Sequence, residues 1–160
     1  MNMVDYQNVM TAAEQKCLHQ GIKFTKRRKQ VLSVLIEADV ALSAYEIAEM
    51  CNAGSDSNMP AMSVYRILDL FQEQNLIHRL EIANKYICCA HISCSHEHDK
   101  SQFLICGSCR HVEEINLSED AVIALQAAAS AVGFSAISPQ LEIKGRCAQC
   151  EQSKGQPVTS

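Results

Sequence analysis

No stretch of this 160-residue chain approaches the ~18 consecutive apolar residues that a membrane-spanning helix needs. The first residues, Met1 to Met10, lack the charged and apolar regions of a secretory signal, so the expected compartment is the cytoplasm. An overall basic excess is also missing. The formal net charge is -4, which argues against indiscriminate binding to nucleic acid. No internal repeat is evident, which leaves no ground for a solenoid. What remains, at 48% hydrophobic and 20% charged residues, fits a soluble globular protein of one ordinary domain or two small ones.

Cysteine is abundant. The chain has nine, and a reducing cytosol favours metal binding over a disulfide scaffold. Two pairs carry the strongest signal: Cys106-Gly-Ser-Cys109 and Cys147-Ala-Gln-Cys150, with Cys147 following Cys109 by 38 positions. Each short loop can turn both sulfurs toward one ion, and four thiolates close a tetrahedral zinc shell. Such a closed shell leaves no position for a substrate, so Cys106, Cys109, Cys147 and Cys150 are expected to be structural ligands and not catalytic ones.

The halves of the chain differ in kind. Only Cys17 and Cys51 precede Cys88, and both suit buried packing positions on helices. The first half is helical in pattern. Val4 to His19 reads as a helix ending at Gly21, and Thr25 can cap a second with an apolar stripe of Val31, Leu32, Leu35 and Ile36. Ser43-Ala-Tyr-Glu46 is a capping box opening a third helix. After a polar loop from Gly54 to Asn58, Pro60 precedes a fourth helix, with Val64, Ile67, Leu68 and Phe71 on one face and Ser63, Tyr65, Arg66 and Asp69 on the other. Two alternating segments, Ile77 to Ile82 and Lys85 to Cys89, joined at Ala83-Asn84, read as a β-hairpin. Helices followed by a hairpin predict a winged helix-turn-helix.

In the second half, Phe103 to Ile105 and His111 to Ile115 read as strands around the first cysteine pair. Ser118 caps a helix through Val132 that Gly133 ends. A last strand through Leu141 and Ile143 delivers Cys147 and Cys150. The fold class is therefore α+β: an N-terminal winged helix-turn-helix and a small C-terminal α/β domain with a four-cysteine zinc site. The expected boundaries are 1–87 for the first domain, 88–94 for a hinge, 95–151 for the second, and 152–160 for a disordered tail.

A second group of metal donors spans the two halves: His78, Cys88, Cys89, His91, Cys94, His96, His98 and Glu114. Mixed nitrogen, sulfur and oxygen donors suit zinc, and thiolates argue against magnesium or calcium. A metal held from both sides would select one arrangement of the halves, as a sensor requires.

Taken together, Lys23-Phe-Thr-Lys-Arg-Arg-Lys-Gln-Val-Leu, Ser43-Ala-Tyr-Glu-Ile, Ser63-Val-Tyr-Arg-Ile-Leu, Ile77-His-Arg-Leu-Glu, Tyr86-Ile-Cys-Cys and Phe103-Leu-Ile-Cys-Gly-Ser-Cys resemble the ferric-uptake-regulator (Fur) superfamily, and within it the zinc-uptake regulators. The likeness covers about residues 12 to 150. It implies a homodimeric, metal-dependent repressor that binds a double-stranded operator, with the C-terminal domain forming the dimer. It implies two zinc ions per chain, one structural and one regulatory. The regulatory ligands carried over are His78, Cys89, Glu114 and a histidine before the first cysteine pair, where His98 is nearest and His96 lies behind it. Cys88 competes with Cys89, and Glu113 with Glu114. The cysteine at 89 points to zinc, because iron- and manganese-sensing relatives are richer in histidine and carboxylate there. Two departures are Lys26, where the family often has proline, and Ser63, where threonine is usual.

On this footing the helix after Pro60 would enter the major groove, Arg66 reading guanine and Tyr65 a thymine methyl or phosphate. Tyr45 resembles a family residue that reaches DNA, and Ser63 keeps a hydroxyl at the helix start. Lys26, Arg27 and Arg28 would meet phosphates. Neither a membrane nor a small-molecule substrate is expected. Three other readings deserve a test. A sensor of iron, manganese or peroxide keeps the fold. A zinc hydrolase of deaminase type would use His111-Val-Glu113 with Cys147 and Cys150, but Arg146 stands where proline is expected and Cys106 and Cys109 are left idle. A thiol oxidoreductase lacks its βαβ context.

Overall fold

A computed structural model describes residues 3–38, 40–53, 58–89, 92, 101–135 and 140–152. The chain forms two compact units, Met1–His96 and Glu97–Ser160. Residues 54–57 of the expected Gly54–Asn58 loop, the donors His91, Cys94, His96 and His98, and residues 153–160 lie outside the described residues.

The first unit opens with α1 (Met3–His19), which turns at Gly21, whose φ of 69° glycine takes at no steric cost. Next comes α2 (Lys26–Ala38). Thr25 begins it, its carbonyl accepting from Lys29 N–H at 2.9 Å. Val31, Leu32, Leu35 and Ile36 are all buried, as the stripe predicts. Ser43 starts α3 (Ala44–Asn52) with a complete capping box. Its hydroxyl accepts from Glu46 N–H while the Glu46 carboxylate accepts from Ser43 N–H at 2.7 Å. Pro60 leads into α4 (Ala61–Glu73), whose Val64, Leu68 and Phe71 are buried.

Strands β1 (Ile77–Leu80) and β2 (Lys85–Cys88) pair antiparallel, His78 opposite Ile87 and Leu80 opposite Lys85. The hairpin is shorter than its apolar pattern suggests. Glu81 to Asn84 form the turn, with Asn84 at φ 47°, so Ile82 is exposed and not part of a strand. Leu42 adds a single antiparallel bridge to Tyr86, with reciprocal hydrogen bonds of 2.9 and 2.7 Å. The order helix, bridge, helix, helix, hairpin is that of a winged helix, with α1 as an extra helix packed through Ala13 and Cys17 on one continuous core.

The second unit holds β3 (Ser101–Cys106), β4 (Val112–Asn116), α5 (Glu119–Ala131), β5 (Leu141–Gly145) and the short α6 (Ala148–Gln152). The sheet order is β4-β3-β5. β4 runs antiparallel to β3, whereas β5 runs parallel, which demands a long crossover between them; α5 lies within it. Phe103, Ile105 and Val112 are buried. Ser118 caps α5 and Gly133 follows its end with φ 80°. Unlike every helix of the first unit longer than a turn, α5 buries none of its described residues.

Candidate metal centre and nucleic-acid interface

Parallel pairing places Cys106, the last residue of β3, beside Gly145, the last of β5. Both cysteine pairs therefore emerge at the same end of neighbouring strands. The first pair lies in a tight turn closed by Arg110 N–H on the Cys106 carbonyl at 3.0 Å, with Arg110 itself left-handed at φ 65°. A hydrogen bond from Gly107 N–H to the Gly145 carbonyl, 3.0 Å, ties that turn to β5. Cys147 precedes α6, and Cys150 sits one turn into it.

The four sulfurs all lie within 4.8 Å of one another, and Cys109 Sγ is 3.6 Å from Cys147 Sγ. A zinc–thiolate tetrahedron with bonds of ~2.3 Å has edges of ~3.8 Å. A disulfide would require ~2.05 Å. The spacing could accommodate a metal shell and is too long for a disulfide. Backbone N–H groups of Cys109, Cys147 and Ser108 hold the Cys106 thiol down at about 5. Hydrogen bonds with Cys109 and Cys147 keep the proton on Cys150 and push it up to about 12. Cys106, Cys109, Cys147 and Cys150 could hold a divalent cation, which would supply the charge that lets four thiolates coexist.

On the wing, His78 and Cys89 come together. Their donor atoms lie within 4.8 Å, and both residues are buried. The pleat explains the pairing. His78 faces Ile87, and Cys89, two positions on, points to the same side, while Cys88 points to the other. Cys89 N–H donates to the Leu76 carbonyl at 3.0 Å, and Cys88 Sγ lies 4.0 Å from that same carbonyl. Glu114 is half-buried in the middle of β4, opposite Phe103, and its exposed neighbour Glu113 meets His111 at 3.1 Å.

The expected DNA-facing residues belong to three helices of the first unit. Tyr45 on α3 is exposed and sets its ring edge-to-face against Tyr65 on α4, centroids 6.2 Å apart. Tyr65 is half-buried against the core, and Ser63 is half-buried as well. Arg66 is exposed. Lys26 and Arg27 are exposed at the start of α2, whereas Arg28 reaches back to the Lys23 carbonyl. Lys29, from the same basic run, is held by Glu14 at 2.8 Å and lies over the Phe24 ring. Met62, exposed one turn before Arg66, was not among the expected residues; its spacing of four from Arg66 is the signal that places it on the same face.

Residues 19–144 match the Ferric uptake regulator family. The chain belongs to that family. It is 29% identical to the Zinc uptake regulation protein of Escherichia coli (strain K12) over 150 residues, covering 94% of this chain and 85% of that one. It is 28% identical to the Ferric uptake regulation protein of Campylobacter jejuni over 164 residues, covering 94% of each. Among solved structures, it resembles "Zinc Uptake Regulator Complexed With Zinc AND DNA" with a TM-score of 0.80 and 25% identity, over 98% of this chain and all of the other. A holo structure of XcZur matches with a TM-score of 0.71 and 30% identity, over 89% and 96%. Fur family proteins are transcription regulators and not enzymes, which removes the hydrolase and oxidoreductase readings. Among the described residues no helix is long and apolar enough to cross a membrane.

Proposed function

We propose that this Fur family regulator is a zinc-responsive repressor: a zinc-loaded cytoplasmic homodimer that binds palindromic operators and silences zinc-uptake genes. The observation that carries the zinc reading is the buried pair His78 and Cys89, an imidazole and a thiol within 4.8 Å on the wing. Zinc accepts that pairing readily, and a thiolate disfavours hard cations. Cys106, Cys109, Cys147 and Cys150 hold the structural ion. His78 and Cys89, with Glu114 and either His98 or His96, hold a second, regulatory ion, giving two per chain. The likeness to a zinc uptake regulator bound to zinc and DNA supports this assignment.

A second copy of the chain covers α5. A helix with Ile123, Leu125, Val132 and Phe134 on or just beyond it, all exposed, has an apolar surface that a single chain leaves in water. In the dimer two α4 helices would enter successive major grooves, about 34–36 Å apart. Arg66, Tyr65, Tyr45 and Ser63 contact bases or nearby phosphates, and Lys26, Arg27 and Arg28 contact the backbone. Regulatory zinc and operator then strengthen each other's binding reciprocally.

Iron sensing is the second reading, favoured by 28% identity to ferric uptake regulation proteins, nearly that to the zinc relative. Selection of duplexes from a random library by the purified dimer, at buffered low and high free zinc with ferrous iron and manganese in parallel, separates them. One palindrome enriched by zinc alone supports zinc sensing. Enrichment by iron or manganese reassigns the stimulus, and none under any metal sinks the operator-binding role.

A further inference from the structure

The exposed face of α4 is divided by charge. Among its exposed residues, Met62, Arg66, Asp69 and Glu73 follow one another at spacings of four, three and four, so they form a single stripe along the helix, with uncharged Gln72 beside its C-terminal end. The N-terminal half of that stripe is apolar and cationic. The C-terminal half is acidic, and phosphates on both walls of a groove repel it. Only the first two turns of α4 can therefore lie deep against base edges, with Asp69 and Glu73 angled away from the duplex. This matches the general habit of recognition helices, which read with their N-terminal residues.

Within those two turns Met62 is 66% exposed, a long apolar side chain standing in water where every other apolar residue of α4 is buried or half-buried. Methionine is unbranched and adaptable, and it fills irregular apolar surfaces. The largest apolar group that a base pair offers in the major groove is the C5-methyl group of thymine. Met62 stands one turn, ~6 Å, before Arg66 along the helix axis, and base pairs stack ~3.4 Å apart. The two side chains thus reach base pairs one or two steps apart.

We propose that Met62 is a specificity-determining residue of this regulator. It packs on the methyl group of a thymine one or two base steps from the guanine that Arg66 reads. The proposal deepens the operator-binding role and rests on α4 being the reading helix.

The test uses the zinc-loaded full chain and the palindrome selected as described above. Each thymine of one half-site is replaced in turn by deoxyuridine, which removes the methyl group and nothing else. One position is expected to weaken binding roughly 4-fold, the value of one buried methyl-sized group. Met62→Ala should still bind in a zinc-dependent manner, with the thymine–uracil difference at that position gone; Met62→Leu should keep it. If the wild-type protein binds but no uracil substitution matters, or if Met62→Ala discriminates as well as the wild type, the role of Met62 is overturned while α4 remains the reader. If no duplex binds at all, the operator-binding role fails first and takes this assignment with it.

Discussion

Asn52 holds the backbone of Met59 at both ends: its Oδ1 accepts from Met59 N–H at 2.7 Å, and its Nδ2 donates to the Met59 carbonyl at 3.1 Å. The last residue of α3 thereby fixes the chain immediately before α4. Met59 is buried, and Pro60 follows with the extended backbone that starts the helix. Asn52→Ala leaves two backbone groups without these partners and should cost about 2 kcal/mol. A fall in the urea midpoint with an unchanged slope would show it, accompanied by weaker operator binding because α4 is no longer held at its start. An unchanged midpoint would show that the clamp contributes nothing.

Glu46 joins the capping box of α3 to the wing. Lys85 Nζ reaches its two carboxylate oxygens at 2.8 and 3.0 Å. The hydrogen bond from Lys85, then that from Ser43 N–H, pull the Glu46 carboxyl down to about 2 from 4.5. A carboxyl more acidic in the folded than in the unfolded chain stabilises fully above its unfolded value and loses that contribution as pH falls toward the folded one. The window is therefore pH 4.5 down to about 2. The Glu46 side chain is 38% exposed, so solvent screening reduces the effect to roughly 1–2 kcal/mol. Glu46→Gln should be less stable than wild type near neutral pH, and the gap in urea midpoints should shrink on acidification. A gap that stays constant would remove the ion pair from the account.

The two metal sites should separate by mutation. Cys106→Ser opens the four-sulfur shell, and the second unit has only a small core to fall back on. Loss of one zinc per chain, measured by elemental analysis, and loss of the dimer in sedimentation are expected. A stable dimer that has lost this zinc would overturn the structural role. Cys89→Ser should instead keep the dimer and the structural zinc but lose zinc-dependent operator binding. A normal zinc response in that variant would exclude Cys89 as a regulatory ligand.

Charge on α5 should split the dimer. Ile123 and Leu125 are 61% and 46% exposed, so Leu125→Glu costs a single chain little but buries an unpaired carboxylate between two. A monomer with intact helical circular dichroism is the expected product. A dimer of unchanged affinity would place the interface elsewhere.

Much of this protein was determined by the sequence locally. Thr25, the Ser43–Glu46 box and Ser118 start helices where they are expected, because a cap needs only partners three or four residues away, and Pro60 does so through its fixed backbone angle alone. The apolar spacing in α2 and α4 names their buried faces for the same reason. The two cysteine pairs announce a metal because ligand type and loop length are themselves local. The boundary between β1 and its turn was less legible: the apolar run continues through Ile82, but the strand ends at Leu80 and Asn84 takes the left-handed turn.

Other relationships depended on contacts between segments far apart in the chain. Nothing near Cys106 says that β5 runs parallel to β3 with Gly145 alongside, yet that register is what gathers the four sulfurs. Residue type does not separate Cys88 from Cys89, and only the family likeness favoured Cys89; the pairing of β2 with β1 is what turns Cys89 toward His78. Glu14 removes Lys29 from the basic run by an ion pair across fifteen positions. The spacing of Met62 from Arg66 puts both on one face of α4, but only packing shows that its apolar neighbours are covered while it stays in water. Local hydrogen bonds and periodicity are written within a turn or two of the chain, whereas strand register, ion pairing and exposure are set by which surfaces meet, and only the folded structure decides that.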